Sequence, residues 1–156
     1  MKDVGMVNHI VPIFAPQQLS ATKTGPHVAM KKYEKVQFIL ALGDLATDSF
    51  VLTVTASAAT AGSSATALAF QYRMTAAAGT DTLGDLTDVE STGLTLTHGS
   101  YDNMVVIIEV DAAELTADKP YVGIVLTDPG SATAYASLVA LLKPRYPQET
   151  NDGALT

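Results

Sequence analysis

The sequence predicts an all-β fold, a β-sandwich or a small barrel. Short segments that alternate between apolar and polar residues, or are apolar throughout, recur about every 10–17 residues with Gly, Asp and Pro between them. No helical pattern of ten or more residues alternates with these segments, which argues against a parallel sheet with crossover helices. A length of 156 residues favours one domain around one hydrophobic core.

The individual strands follow from alternation in some segments and from apolar runs in others. In residues 49–57, Phe50 and Leu52 share one face of the predicted strand, while residues 104–110 form the most apolar segment and are expected to be central. Asp111 then caps one predicted helical turn. The seven predicted strands span residues 36–42, 49–57, 66–74, 92–97, 104–110, 121–127 and 134–142.

Strand parity also predicts the core, and turn chemistry predicts two long loops at residues 58–65 and 76–89. The side chains expected to be largely buried are Phe50, Leu52, Leu68, Phe70, Val106, Ile108, Val122, Ile124, Leu138 and Ala140.

The N-terminal segment differs from the rest of the chain. Residues 1–26 are predicted to form an arm that lies on the body or reaches away from it, ahead of a sandwich domain at 27–146 and a C-terminal tail at 147–156. Prolines and a polar stretch interrupt the arm, so only residues 6–14 are expected to be extended. They are expected at a sheet edge, because Pro12 lacks an N–H donor.

The arm has apolar side chains but too many prolines to build its own core, which favours contact with a second chain and a homo-oligomer. Deleting residues 1–16 is therefore expected to leave the sandwich folded and to abolish association. The predicted interface residues are Val7, Ile10, Val11, Ile13, Phe14, Lys31, Lys32 and Lys35.

Charge is distributed unevenly. The net charge is −7, but residues 1–35 carry +3 and the remainder carries −10. A body this acidic argues against nucleic acid as a partner. The lysines between residues 31 and 35 are interpreted either as a solvated start of a strand or as a basic patch that binds an acidic partner.

Motifs for catalysis are not found in the sequence. There is no cysteine, no histidine pair with the spacing of a helical metal site, no G-x-S-x-G and no phosphate-binding loop, so we expect neither an enzyme nor a cofactor. Asp81, Asp85, Asp88 and Glu90 are interpreted as a solvated acidic loop, and calcium binding is the alternative. No apolar run reaches the length of a membrane span, and no membrane partner is expected.

Three segments, taken in order, resemble a known group of proteins. They are NHIVPIFAPQ at residues 8–17, MKKYEKVQFILALGD at 30–44 and, after IIEVDAAEL at 107–115, VALLKPRYPQ at 139–148. The chain resembles, over about residues 6–148, small head decoration or cement proteins of tailed bacteriophages.

The resemblance implies a jelly-roll β-sandwich made in the host cytoplasm that binds the outside of the capsid as a dimer or trimer. It would contact the major capsid protein and stabilise the shell. The alternative is a receptor- or glycan-binding module of a fibre, tail or surface adhesin. Glycan binding predicts clustered exposed aromatic side chains, whereas capsid binding predicts a broad, flat contact.

Overall fold

The computed structural model describes residues 7–45, 49–127, 134–146 and 153–156. Within these ranges no helix is long and apolar enough to cross a membrane. A single 3-10 turn at Ala112–Glu114 is present, and Asp111 caps it as predicted by accepting a hydrogen bond from the Ala113 N–H. The strands are β1 (His9–Leu19), β2 (Lys23–Thr24), β3 (Val28–Ala29), β4 (Tyr33–Leu42), β5 (Phe50–Ser57), β6 (Thr66–Leu68), β7 (Phe70–Met74), β8 (Thr87–Val89), β9 (Leu94–Leu96), β10 (Val105–Asp111), β11 (Tyr121–Thr127) and β12 (Ala134–Pro144).

The strands form two antiparallel sheets that pack face to face, so the predicted β-sandwich is confirmed. The first sheet has the order β1-β12-β4-β10-β7-β8. The second has the order β2-β11-β5-β6, with β3 also pairing with β11 and β9 with β5. The most apolar predicted strand, β10, lies inside the first sheet between β4 and β7, as expected.

The pairing of strands is nested along the chain. The first strand pairs with the last, β2 and β3 pair with β11, and β4 pairs with β10. Each early strand thus meets a late one, and successive pairs fall in alternate sheets. This is the arrangement of a jelly roll, which the sequence resemblance implied.

The core lies between the two sheets and contains the predicted residues. Nine of the ten side chains predicted to be buried are at most 4% exposed. The tenth, Leu68, is half-buried and packs against the core from the end of β6. The predicted inward and outward faces of these strands are therefore confirmed.

Several boundaries differ from the predictions. The first strand runs to Leu19 and not only to residue 14, because β12 supplies a partner along its whole length. Residues 66–74 are not one strand, because β6 pairs with β5 in the second sheet while β7 pairs with β10 in the first. The chain changes sheets at Ala69. The predicted loop at 76–89 also contains a strand, since β8 pairs with β7 from Phe70–Val89 to Tyr72–Thr87.

The first strand is part of the sandwich. It pairs with β12 from His9–Leu142 to Leu19–Ala134, and the register shifts on either side of Phe14, next to Pro12 and Pro16. It occupies the sheet edge that Pro12 predicted. Four of its side chains belong to the core: Val11, Ile13, Phe14 and Leu19.

The end of the chain also contacts the body. The Ala154 carbonyl accepts a hydrogen bond from the Ala29 N–H at 2.8 Å, and Ala154 is 2% exposed. Residues 147–152, in the predicted tail, lie outside the described residues.

Candidate protein interface

The outward side of the first sheet is apolar at its centre. Val139 on β12 lies opposite Ile39 on β4, which lies opposite Ile107 on β10. All three side chains point away from the core and are only half-buried. Neighbouring strands lie about 4.8 Å apart, so this row spans roughly 10 Å. The solvent side of an antiparallel sheet is usually polar, and this one is not.

Further apolar side chains extend the row toward β1 and along β12. Ile10 on β1 lies opposite Leu141 and is 47% exposed, while Tyr135 at the start of β12 is 57% exposed. Four strands and about six residues along β12 make a patch roughly 15 by 20 Å. We call it the docking face and define it as Ile10, Pro12, Ile39, Ala41, Val105, Ile107, Tyr135, Val139 and Leu141. We take this apolar patch as the candidate interaction surface.

A polar network borders the docking face. Glu109 on β10 accepts a hydrogen bond from Gln37 Nε2 at 2.6 Å. It also forms an ion pair with Lys35, whose Nζ lies 3.1 Å from the carboxylate. The Gln37 hydrogen bond and then the Lys35 ammonium lower the pKa of the Glu109 carboxyl, while Glu109 raises the pKa of Lys35. This carboxylate is therefore ionised at neutral pH, and the network ends the apolar surface.

A basic cluster lies just beyond that border. Pairing of β4 with β12 sets Lys35 opposite Lys143, and Lys143 forms an ion pair with Glu34. The Arg145 N–H donates to the Lys32 carbonyl at 3.0 Å. The basic cluster comprises Lys31, Lys32, Lys35, Lys143 and Arg145. The sequence analysis found its first three members and missed the last two, because only strand pairing brings residues 143–145 beside residues 31–35.

The predicted interface residues of the arm separate into two groups. Val7 and Ile10 are 45% and 47% exposed, so both can meet a partner. Val11, Ile13 and Phe14 are at most 8% exposed and pack in the core of their own chain. A docking role for those three would require β1 to leave the sheet.

The acidic loop is open to solvent. Asp81, Asp85, Asp88 and Glu90 are exposed, and Asp88 accepts a hydrogen bond from Gln71 Nε2 at 2.8 Å. Over the described ranges, no group of three or more His, Asp or Glu side chains is placed to hold a metal ion.

Exposed aromatic side chains are far apart on the first sheet. Tyr135 lies at one end of β12, and Tyr146, which is 77% exposed, follows its other end. The strand runs about 30 Å from Tyr135 to Pro144, so the two exposed rings lie far apart. A groove of about 320 Å³ near the basic cluster is lined by Lys31, Lys32, Tyr33 and Tyr121 among others. Tyr33 is 2% exposed, so its ring offers almost no surface to a ligand in this groove.

The described residues form a two-sheet β-protein with an apolar patch on the outer side of the first sheet, beside a basic cluster. Comparison of the chain with protein-family models, with curated proteins and with solved structures found no match.

Proposed function

We propose that the protein is a non-enzymatic virion structural protein that binds the outer surface of a tailed-phage capsid and stabilises it. The docking face is the observation that supports this proposal. A patch of half-buried aliphatic side chains on the outer side of a sheet suits a broad contact with another folded protein better than it suits a small ligand, which needs a concave site.

The position of the docking face adds support. It spans β1, β12, β4 and β10, so its side chains are held by the ladders of four adjacent strands. A rigid surface loses little conformational entropy on binding, which favours affinity. The three segments that resemble decoration proteins include β1, β4 and β12, the strands that carry most of this face.

The basic cluster supplies a second element of recognition. Its cations lie at the border of an apolar surface, where charge steers and orients association more than it adds affinity. The partner we propose is the major capsid protein, with an acidic area beside an apolar one. Self-association to a dimer or trimer belongs to the same proposal, since repeated sites on a shell add avidity.

The test uses purified protein and empty heads of the virus whose genome encodes this chain. The wild-type chain should co-sediment with the heads at a fixed ratio and raise their resistance to heat. Val139→Lys places a charge in the middle of the docking face, and we expect it to weaken binding at least tenfold, because a lysine buried in an apolar contact loses its hydration.

Thr95→Lys is the matched control. Thr95 is exposed on β9 of the second sheet, so the same charge is added away from the docking face. It should bind as the wild type does. Heads that do not take up the wild-type chain would contradict the proposal, as would equal binding by the two variants. Binding to a glycan array in place of heads would favour the adhesin alternative.

A further inference from the structure

His27 is a fully buried titratable side chain on the outward side of the second sheet. The loop at residues 58–65 folds over it, with the His27 N–H donating to the Thr60 carbonyl at 2.8 Å and the Thr60 hydroxyl donating to the His27 carbonyl at 2.9 Å. Glycines approach its ring from two elements. A Cβ added at Gly62 would lie 2.7 Å from Cε1, and one added at Gly123 would lie 2.7 Å from Cγ. The ring is therefore enclosed between the loop and β11.

The hydrogen bonds of the ring favour one neutral tautomer. Nε2 lies 2.8 Å from the Thr55 hydroxyl oxygen, and that hydroxyl donates to the Gly123 carbonyl at 3.5 Å. Thr55 then accepts from Nε2–H, which leaves the lone pair on Nδ1. Among the described residues, Nδ1 has no hydrogen-bond partner.

Among the described residues, no carboxylate on the elements around the ring compensates a charge at this position. Residues 50–65, which include β5 and the loop, contain no ionisable side chain. In β11 the ionisable side chain is Tyr121, whose hydroxyl donates to the Thr156 carbonyl, and in β2 it is Lys23, whose ammonium lies over the Phe14 ring. Burial lowers the pKa of His27, and the Gly25 carbonyl opposes this only in part.

We propose that His27 is an acid-sensitive latch, which holds the loop at residues 58–65 against the second sheet when neutral and releases it when protonated. Protonation adds a charge inside a site that is shielded from water, where burial disfavours the charge more than the Gly25 carbonyl stabilises it. Opening the loop lets the ring reach water and uncovers the strip around Thr55 and Gly123. This strip lies on the opposite side of the molecule from the docking face.

The direction of the pH effect follows from linkage. A histidine whose pKa is lower in the closed state than in the open state binds more protons when the loop is open. Closure is therefore fully favoured above the ordinary pKa of 6.5 and is progressively lost as the pH falls below it. If the closed state binds no proton, the equilibrium constant for loop opening at pH 5.0 is roughly 30 times its value well above pH 6.5.

The experiment is amide hydrogen exchange on the full chain at pH 7.5 and pH 5.0, corrected for intrinsic exchange. The reporting amides are His27 and Gly62, which donate to the Thr60 and Ala59 carbonyls. They should lose at least tenfold in protection at the lower pH, whereas amides of β4 keep theirs. Unchanged protection of the loop down to pH 5.0 would overturn the proposal.

His27→Gln removes the titration and retains a neutral donor, so its loop should show equal protection at both pH values. His98→Gln, at an exposed turn, should respond as the wild type does. An acid response that persists in His27→Gln overturns the latch. If that variant does not fold, the wild-type ring titration decides: loop opening must follow the titration of His27 and not that of His9. The measurement uses free protein and does not depend on capsid binding.

Discussion

Single glycine residues determine how closely neighbouring segments approach the second sheet. At Gly123 the ring of His27 rests on the strand backbone, because no Cβ stands between them. The same is true at Gly25, where an added Cβ would lie 2.5 Å from Ile13 Cγ2 of β1. Glycine in a strand interior weakens the strand in isolation and here permits close packing.

Gly123→Ala should destabilise the fold by about 1–3 kcal/mol, because the new methyl group collides with a ring that has no free space to enter. Denaturant unfolding monitored by circular dichroism measures the change. Gly84→Ala is the control, since the nearest atom to its Cβ is the Met74 carbonyl oxygen at 3.6 Å. That variant should remain within about 0.5 kcal/mol of the wild type.

His27→Ala removes the ring that the methyl group meets, so the double variant with Gly123→Ala should cost less than the sum of the two single variants. A Gly123→Ala protein as stable as the wild type would show that the ring does not rest on this strand.

At the scale of the element, β1 combines two roles on its two faces. Its inward side chains fill the core, and the His9 ring forms a hydrogen bond with the hydroxyl of the buried Tyr33. Its outward side chains, Ile10 and Pro12, belong to the docking face. Deletion of residues 1–16, expected from sequence to leave the sandwich folded, is now expected to expose core side chains and the edge of β12.

Phe14→Ala and Ile10→Ala separate these two faces. Phe14 is 8% exposed, and its truncation should cost about 3–5 kcal/mol of unfolding free energy. Ile10 is 47% exposed, and its truncation should change stability by no more than about 0.5 kcal/mol while weakening capsid binding. Thermal unfolding measures the change in stability, and co-sedimentation with phage heads measures the change in binding. Similar stability of the two variants would mean that β1 does not pack as part of the sheet.

At the scale of the whole molecule, cations gather at one end of an acidic protein. Nine basic residues face sixteen acidic ones, and five of the nine form the basic cluster. Among the described residues, Lys35 forms an ion pair with Glu109 and Lys143 forms one with Glu34. Lys31 and Lys32 are exposed side chains of the same cluster, and replacing them tests steering.

Replacing Lys31 and Lys32 together by glutamine should slow association with heads several-fold at low salt and little at high salt, because salt screens exposed charges. Stopped-flow light scattering at two salt concentrations measures the rates. The variant with Lys23 and Lys119 replaced by glutamine has the same net charge and alters cations outside the cluster. Equal slowing in both variants would show that net charge, and not the basic cluster, governs the rate.

The sequence by itself determined the fold class, six of the seven predicted strand positions and most of the core. It could do so because an inward face filled with apolar residues every second position leaves a local signal, as in Phe50 and Leu52. Turn residues added the boundaries. The signal for the capped turn was equally local, since Asp111 accepts a hydrogen bond from an amide only two residues further along the chain.

Only the tertiary structure decided where the docking face lies and which side chains of β1 are buried, because both depend on which strands are neighbours. Val139, Ile39 and Ile107 are far apart in sequence and form one row only through the order β12-β4-β10. The burial of Phe14 likewise required β12 as a partner for β1. Residues 36–42 and 104–110 carry apolar side chains on both faces. Alternation therefore could not show that their outward face is left uncovered.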